Sequence, residues 1–367
     1  MNKKLLITAL LALVALTGQG QVHYRLEGNI GHPEFTGVME MRDVFRQKVV
    51  GTIEVVKGVI TPKEGDLPEM AMCILADTTK TMVQRGNAVS MESALELAFL
   101  FIDNGTTTVE GLKENWLLQN GTPVSREITA VRHRMKEITV TYGQNKAVEG
   151  KQVMGDYLYE VIGRHAADVY GIYLLVNEGQ WYLKPQQWVD LYEKMMAANG
   201  DYILASPHLS KYLRYTHEEY RQKVAMLSTD EGCKFVDFAV DYDGKTTRLS
   251  DFVGHGQYVL ADFWASWCGP CRREIPNIIA AYEKYKGRGL QVIGIAAWDK
   301  PKDTLKAIEE EKITYPQIIN SQKIATDLYG IKGIPHIILF GPDGTILARG
   351  LRGDAIEKKL SAIFNDK

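Results

Sequence analysis

The chain has 367 residues, of which 45% are hydrophobic and 24% charged, an ordinary balance for folded globular protein. At roughly 150 residues per domain it accommodates two or three domains. Its formal net charge of −2 excludes the strongly basic footprint of a nucleic-acid binder, and no Lys/Arg cluster marks an anionic membrane surface.

The N-terminus predicts export. Asn2-Lys3-Lys4 is a short basic region, Leu5 to Leu16 is apolar, and Thr17-Gly18-Gln19-Gly20 offers small and polar residues suited to cleavage. That order describes a secretory signal peptide over residues 1–20, too short to span a membrane; the alternative is a buried N-terminal helix. No cysteine follows the apolar stretch, which speaks against a lipoprotein anchor. No later stretch approaches the ~20 apolar residues of a transmembrane helix. The mature chain, beginning near Gly20 or Gln21, is therefore expected to have no transmembrane segment and to work in the periplasm or cell envelope.

Residues 21–115 predict an all-β domain. Short β-type runs occupy Val22–Leu26, Val38–Arg42, Val49–Val59, Met70–Leu75, Leu97–Ile102 and Thr107–Val109. Turn formers separate them at Gly28-Asn29, Gly65-Asp66, Gly86-Asn87 and Asn104-Gly105-Thr106. Residues 116–228 predict a mainly helical connector. Met154–Val176 places apolar and aromatic residues mostly at helical spacing. Pro185 suits a helix's first turn, and Ser206-Pro207 and Thr216-His217-Glu218-Glu219 open two further helices, the last with a capping pattern. The Tyr and Met residues of this region suit core packing better than a cofactor box.

Residues 229–367 alternate between the two periodicities, which predicts an α/β domain. The expected strands are Phe235–Val240, Tyr258–Trp264, Leu290–Ala296, His336–Phe340 and Ile346–Arg349. The expected helices are Arg272–Lys286, Lys302–Glu311, Ser321–Leu328 and Asp354–Phe364. Asp343-Gly344 is a hairpin signal between the last two strands.

The chemistry concentrates at Trp267-Cys268-Gly269-Pro270-Cys271. An apolar strand, Tyr258–Ala265, leads into it and an amphipathic helix leads out. At that helix's first turn, unpaired backbone N–H groups and the positive end of the helix dipole face the Cys268 sulfur. Both favour the thiolate, which is the attacking species. A Cys₄ zinc site would need a second cysteine pair, whereas Cys73 and Cys233 are isolated and far apart. A purely structural bridge would rarely span two residues, because so small a loop constrains the unfolded chain least. Whether Cys73 and Cys233 pair with each other stays open. His-x₃-His and HExxH are absent, so no metal and no cofactor beyond the cysteine pair is expected.

The run Ala261-Asp262-Phe263-Trp264-Ala265-Ser266-Trp267-Cys268-Gly269-Pro270-Cys271 resembles the active-site segment of the thioredoxin superfamily. Gly244–Phe252 is similar to the hairpin that precedes the core strand in its TlpA/ResA-like branch of envelope thiol–disulfide oxidoreductases, and Gly330–Pro335 to the loop carrying the superfamily's cis-proline. This resemblance covers about residues 233–365. Leu26-Glu27-Gly28, Gly51–Gly58 and Phe99–Gly105 loosely resemble a β-rich domain of unassigned function that precedes thioredoxin domains in Bacteroidetes-type envelope proteins.

The resemblance implies roles. Cys268, at the helix tip, is the nucleophile, and Cys271 attacks the mixed disulfide to release the partner. Asp262, a carboxylate in a buried strand and therefore protonated more readily than usual, accepts the Cys271 proton; the alternative is an edge-strand side chain reaching solvent. Trp267, Gly269 and Pro270 shape the site. Proline at 270 removes a backbone N–H that would favour the Cys268 thiolate, which points to a reductant; thioredoxin and DsbA differ by about 150 mV, roughly 7 kcal/mol. Ile334-Pro335 forms a cis peptide facing the pair, and Ile334 opens its backbone to an incoming strand. His336 replaces the family's more usual threonine, and either tunes the pair electrostatically or is simply a packed or solvent-facing side chain. Pro276 matches the helix-kinking proline.

The implied activity is reduction of disulfides in envelope proteins, with protein thiols and disulfides as substrates and an upstream electron donor, a membrane reductase, as partner. Two other functions compete. A thiol peroxidase would need a Pro-x-x-x-Thr-x-x-Cys loop, which is absent before Cys268. A scaffold or binding and redox-sensing module, with the β domain capturing a partner, would not accelerate disulfide reduction.

Overall fold

The computed structural model describes residues 21–78, 82–85, 88–91, 99–113 and 116–365. The expected signal peptide over 1–20, the turn at Gly86-Asn87 and residues 97–98 of an expected strand lie outside them. The chain divides into two compact units, one ending at His217 and one spanning Glu218–Lys367.

The first unit opens with β1 (Val22–Asn29), β2 (Gly37–Asp43), β3 (Lys48–Val56), β4 (Val59–Leu67), β5 (Ala71–Asp77), β6 (Met82–Arg85), β7 (Ala88–Met91), β8 (Phe99–Ile102), β9 (Gly105–Lys113) and β10 (Trp116–Asn120). Eight of these form one sheet in the order β10-β9-β1-β4-β3-β2-β5-β8, while β6 and β7 pair separately. The expected run Val49–Val59 is two strands, because Lys57 (φ 48°) and Gly58 (φ 80°) turn the chain as a tight hairpin. Inward residues Leu26, Met39, Met41, Ile53, Ile102 and Val109 fill the interior. The Gln119 side chain of β10 accepts from Phe101 N at 2.9 Å and donates to Phe99 O at 3.0 Å, so it links the two edge strands. That bond turns the sheet into a near-barrel and covers edges that would otherwise pair with other chains. β10 lies just beyond residue 115.

Gly28 illustrates how tightly this sheet closes. Its φ is 121°, and a Cβ there would sit 2.0 Å from the Val109 carbonyl oxygen. Gly28→Ala should therefore cost the β-sheet unit about 3 kcal/mol. A clear drop in urea midpoint is expected, and an unchanged midpoint would contradict this packing.

Helices α1 (Pro123–Tyr142), α2 (Ala147–Arg164), α3 (Val169–Leu174), α4 (Gln180–Tyr182), α5 (Pro185–Leu204) and α6 (Pro207–Ser228) follow, with a π-helical turn at Leu175–Gly179. The expected helix over Met154–Val176 breaks at His165–Asp168, where Asp168 caps the next helix through Tyr170 N and Gly171 N. Thr216 opens no helix. It lies inside α6, because no Gly or Pro interrupts residues 208–228. Up to His217 the helices share a compact unit with the β-sheet, and Phe101 meets Tyr170 edge-on at 5.2 Å.

The second unit contains β11 (Ala239–Tyr242), β12 (Lys245–Arg248), β13 (Tyr258–Trp264), α7 (Gly269–Tyr285), β14 (Leu290–Ala297), α8 (Pro301–Glu310), β15 (Gln317–Gln322), α9 (Ile324–Leu328), β16 (His336–Phe340), β17 (Ile346–Leu351) and α10 (Asp354–Asn365). Five strands form the sheet β15-β14-β13-β16-β17, with β13 parallel to β14 and antiparallel to β16. This is the thioredoxin-like α/β arrangement the motifs imply. Gly344, at φ 79°, turns the hairpin between β16 and β17. Two expectations need correction. Phe235–Val240 is a strand only from Ala239, because Phe235 N bonds the Gly344 carbonyl and Val236 N the Tyr329 hydroxyl. The expected helix Ser321–Leu328 begins only at Ile324, because Ser321 belongs to the edge strand β15.

Candidate active site

Because β13 is the middle strand, its side chains alternate between two buried faces. Val259, Ala261 and Phe263 pack with Ile293, Ile338 and Tyr329. On the other face Leu260 packs with Ile278, and Trp264 packs with Cys271 and Ile275 of α7. Asp262 shares the parity of Leu260 and Trp264, so it lies on the face covered by the helix that carries Cys271.

The two cysteines form a disulfide with Cα atoms 5.2 Å apart. Cys268 is the N-cap residue of α7, and Cys271 N donates to its sulfur at 3.2 Å. The same donor would face a Cys268 thiolate after reduction. Cys268 is 4% exposed and Cys271 fully buried, so Cys268 is the more accessible sulfur. Gly269 and Pro270 are exposed at the helix tip.

Asp262 is buried on a central strand, which removes the alternative of an edge side chain reaching solvent. Neither carboxylate oxygen has a hydrogen-bond partner. Burial first, and the Glu274 charge second, push its pKa up to about 8. A group poised there can hold or accept a proton near neutral pH.

The surroundings include groups that motif reading passed over. Gly294 lies opposite Asp262 on β14, and a Cβ there would meet Gln317 Oε1 at 2.0 Å. Glycine thus makes room for Gln317, which accepts from Trp264 Nε1 at 2.9 Å. The buried Tyr315 hydroxyl has no partner, and burial and the Asp262 charge hold its pKa far above the usual phenol value. Asp299, at the C-terminal end of β14, accepts from Ser266 N at 2.7 Å, Ser266 Oγ at 2.9 Å and Thr304 Oγ1 at 2.8 Å. It ties the segment before Cys268 to the start of α8. The position just past a parallel strand, where α/β sheets place their ligands, was the available sequence signal.

Trp267 is 61% exposed beside Cys268, with its Nε1 donating to the Trp298 carbonyl at 3.0 Å. The Ile334–Pro335 peptide is cis. Ile334 packs against the cluster of Cys268, Cys271 and Trp264, so this loop lies beside the disulfide. The Arg352 guanidinium donates to the Pro335 carbonyl at 2.7 Å. His336 packs edge-on to Phe263, and burial together with Arg349 and Arg352 lowers its pKa to about 4. It is neutral at neutral pH and belongs with the packing alternative.

Cys73 and Cys233 are free and do not pair. Cys73 is buried in the sheet, where its thiol pKa is pushed well above the usual value. Among the described residues no cluster of metal-ligating side chains occurs, and no helix is long and apolar enough to cross a membrane.

The AhpC/TSA family profile matches residues 232–349. The thiol-disulfide oxidoreductase ResA of Geobacillus kaustophilus is 30% identical over 155 residues, covering 41% of this chain and 86% of that protein. The ResA protein of Bacillus subtilis is 26% identical over 121 residues, covering 33% of this chain; the match spans 66% of that relative's length. The crystal structure of the thioredoxin domain of a Bacteroides vulgatus thiol-disulfide oxidoreductase is 34% identical, covering 37% of this chain and 99% of that one, with a TM-score of 0.34.

Proposed function

This chain belongs to the ResA thiol-disulfide oxidoreductases, and from that membership we propose that it reduces disulfides of exported proteins through Cys268 and Cys271. The observation that carries the reading is the Cys268–Cys271 disulfide at the tip of α7, with the unpartnered Asp262 carboxyl buried beneath that helix.

In the reduced protein the Cys268 thiolate attacks one sulfur of a substrate disulfide. A mixed disulfide forms and the first substrate thiolate leaves, taking up a proton. Asp262 then accepts the Cys271 proton, and the Cys271 thiolate attacks the Cys268 sulfur. The second substrate thiol departs, and the Cys268–Cys271 disulfide closes. Two electrons have passed to the substrate, so a dithiol donor must restore the pair. Trp267 and the Ile334-Pro335 loop flank the sulfur and receive the substrate strand. The basic and apolar N-terminal sequence, Lys3 to Leu16, supports work outside the cytoplasm, where an upstream membrane reductase would supply the electrons.

Insulin reduction by dithiothreitol tests the reading. The protein should accelerate precipitation of the insulin B chain, and Cys268→Ser should remove the acceleration. Equal rates with and without the protein would leave a scaffold or sensor module as the better account.

A further inference from the structure

Around the disulfide stand four exposed cations that meet no carboxylate among the described residues. Arg273 follows Cys271 on α7, and its guanidinium lies over Gly269, 3.7 Å from where a Cβ would be. Arg352 is anchored on the Pro335 carbonyl at 2.7 Å. Lys332 lies two residues before Ile334 in the cis-proline loop, and Lys300 follows Asp299, the residue that holds Ser266. The four sit on elements that meet at the end of the sheet where β13 leads into Cys268: α7, the loop before β16, the loop after β17 and the loop after β14.

Some other cations of this unit are paired. Arg272 meets Glu310 and Glu311, Lys284 meets Glu357, and Lys234 meets Asp343. Near the disulfide the carboxylates are otherwise engaged. Asp299 is buried and bonded to Ser266, Lys300 N and Thr304. Glu274 accepts from Gly353 N and Asn277 Nδ2. Asp303 and Asp354, in the first turns of α8 and α10, are the exposed acids that remain. Hydrogen bonds to neutral donors leave Asp299 and Glu274 charged, but neither is exposed, so the exposed charges around the site are these four cations against Asp303 and Asp354.

We propose that this site selects disulfides flanked by acidic residues, with Arg273, Lys332, Arg352 and Lys300 steering an anionic polypeptide segment onto Cys268. The inference rests on the reductase reading and names its substrate class. Opposite charges across an encounter surface raise the association rate, and salt screens that gain.

The test uses two disulfide-bridged peptides, identical except that one carries Glu and the other Lys on both sides of each cysteine. Each rate is normalised to that peptide's reduction by dithiothreitol alone, which removes the flanks' effect on the leaving thiols. At low salt the normalised kcat/KM of the Glu peptide should exceed that of its Lys twin by about tenfold or more, and the ratio should fall towards one near 1 M salt. The paired reversal Arg273→Glu with Lys332→Glu should invert the ratio, and the milder Arg273→Gln with Lys332→Gln should flatten it. A change in reduction potential would move both peptides together and leave the ratio alone. If wild-type protein reduces both peptides equally, or prefers the Lys peptide, this inference fails while the reductase reading stands. If it reduces neither, the reductase reading itself fails. Should both double variants fail to fold, the wild-type ratio and its salt dependence still decide.

Discussion

Asp262→Asn should make the protein more stable at neutral pH and a slower reductase. The folded pKa, about 8, lies above the ordinary carboxylate value of 3.8. The native state therefore keeps a proton that the unfolded chain releases. Stability linked to this group is fully present below about pH 4 and is lost as pH rises through about 8, at 1.36 kcal/mol per pH unit. At pH 7 the loss is at most about 4 kcal/mol, and asparagine, which cannot ionise, should recover much of it. Wild-type and Asn midpoints in urea should converge towards pH 4 and separate as pH rises. Kinetics should move the other way. Resolution of the mixed disulfide in the wild type should rise with an inflection near pH 8, and the Asn variant should be roughly 10- to 100-fold slower without that inflection. Unchanged turnover across pH 6–9 would assign the proton to water or another base.

The cysteines should separate completely in function. Iodoacetamide at mildly acid pH should alkylate Cys268 of the reduced protein much faster than Cys271, because Cys271 is fully buried while Cys268 caps α7 and faces the Cys271 N–H. Cys268→Ser should lower disulfide reduction by on the order of 10³-fold or more, as removal of a nucleophile does. Cys271→Ala should instead accumulate mixed disulfides on Cys268, and mass spectrometry of those adducts would identify the natural substrates. Preferential labelling of Cys271 would reverse the assignment.

Much of the redox unit was legible because its chemistry is local. Apart from Asp262 and His336, Tyr258–Trp264 and His336–Phe340 are apolar runs with β-branched and aromatic residues, and both form strands with those bounds. Cys268, Cys271 and Asp262 lie within ten residues of one another on one strand–helix unit, so a single motif places all three. What escaped depends on distant partners. β15 reads Gln-Ile-Ile-Asn-Ser-Gln, too polar to announce a strand, and its place follows from Gly294 making room for Gln317. Asp299 gains its meaning from Ser266, 33 residues earlier, through a hydrogen bond no spacing rule anticipates. In the first unit the alternating strands were visible, but closure of the sheet by Gln119 was not, since that residue looks like any polar strand end. Thr216 carried a capping pattern that an uninterrupted helix overrode.

Equilibration with glutathione buffers, followed by quantifying the reduced fraction of the Cys268–Cys271 pair, tests the reductase direction most directly. Gly269-Pro270 and the buried Asp262 are surroundings that thioredoxin also uses. The expected midpoint therefore lies near thioredoxin's, about −270 mV, and well below the roughly −120 mV of DsbA. A pair that stays mostly reduced in buffers where DsbA is reduced would be an oxidant, and the reductase assignment would be wrong.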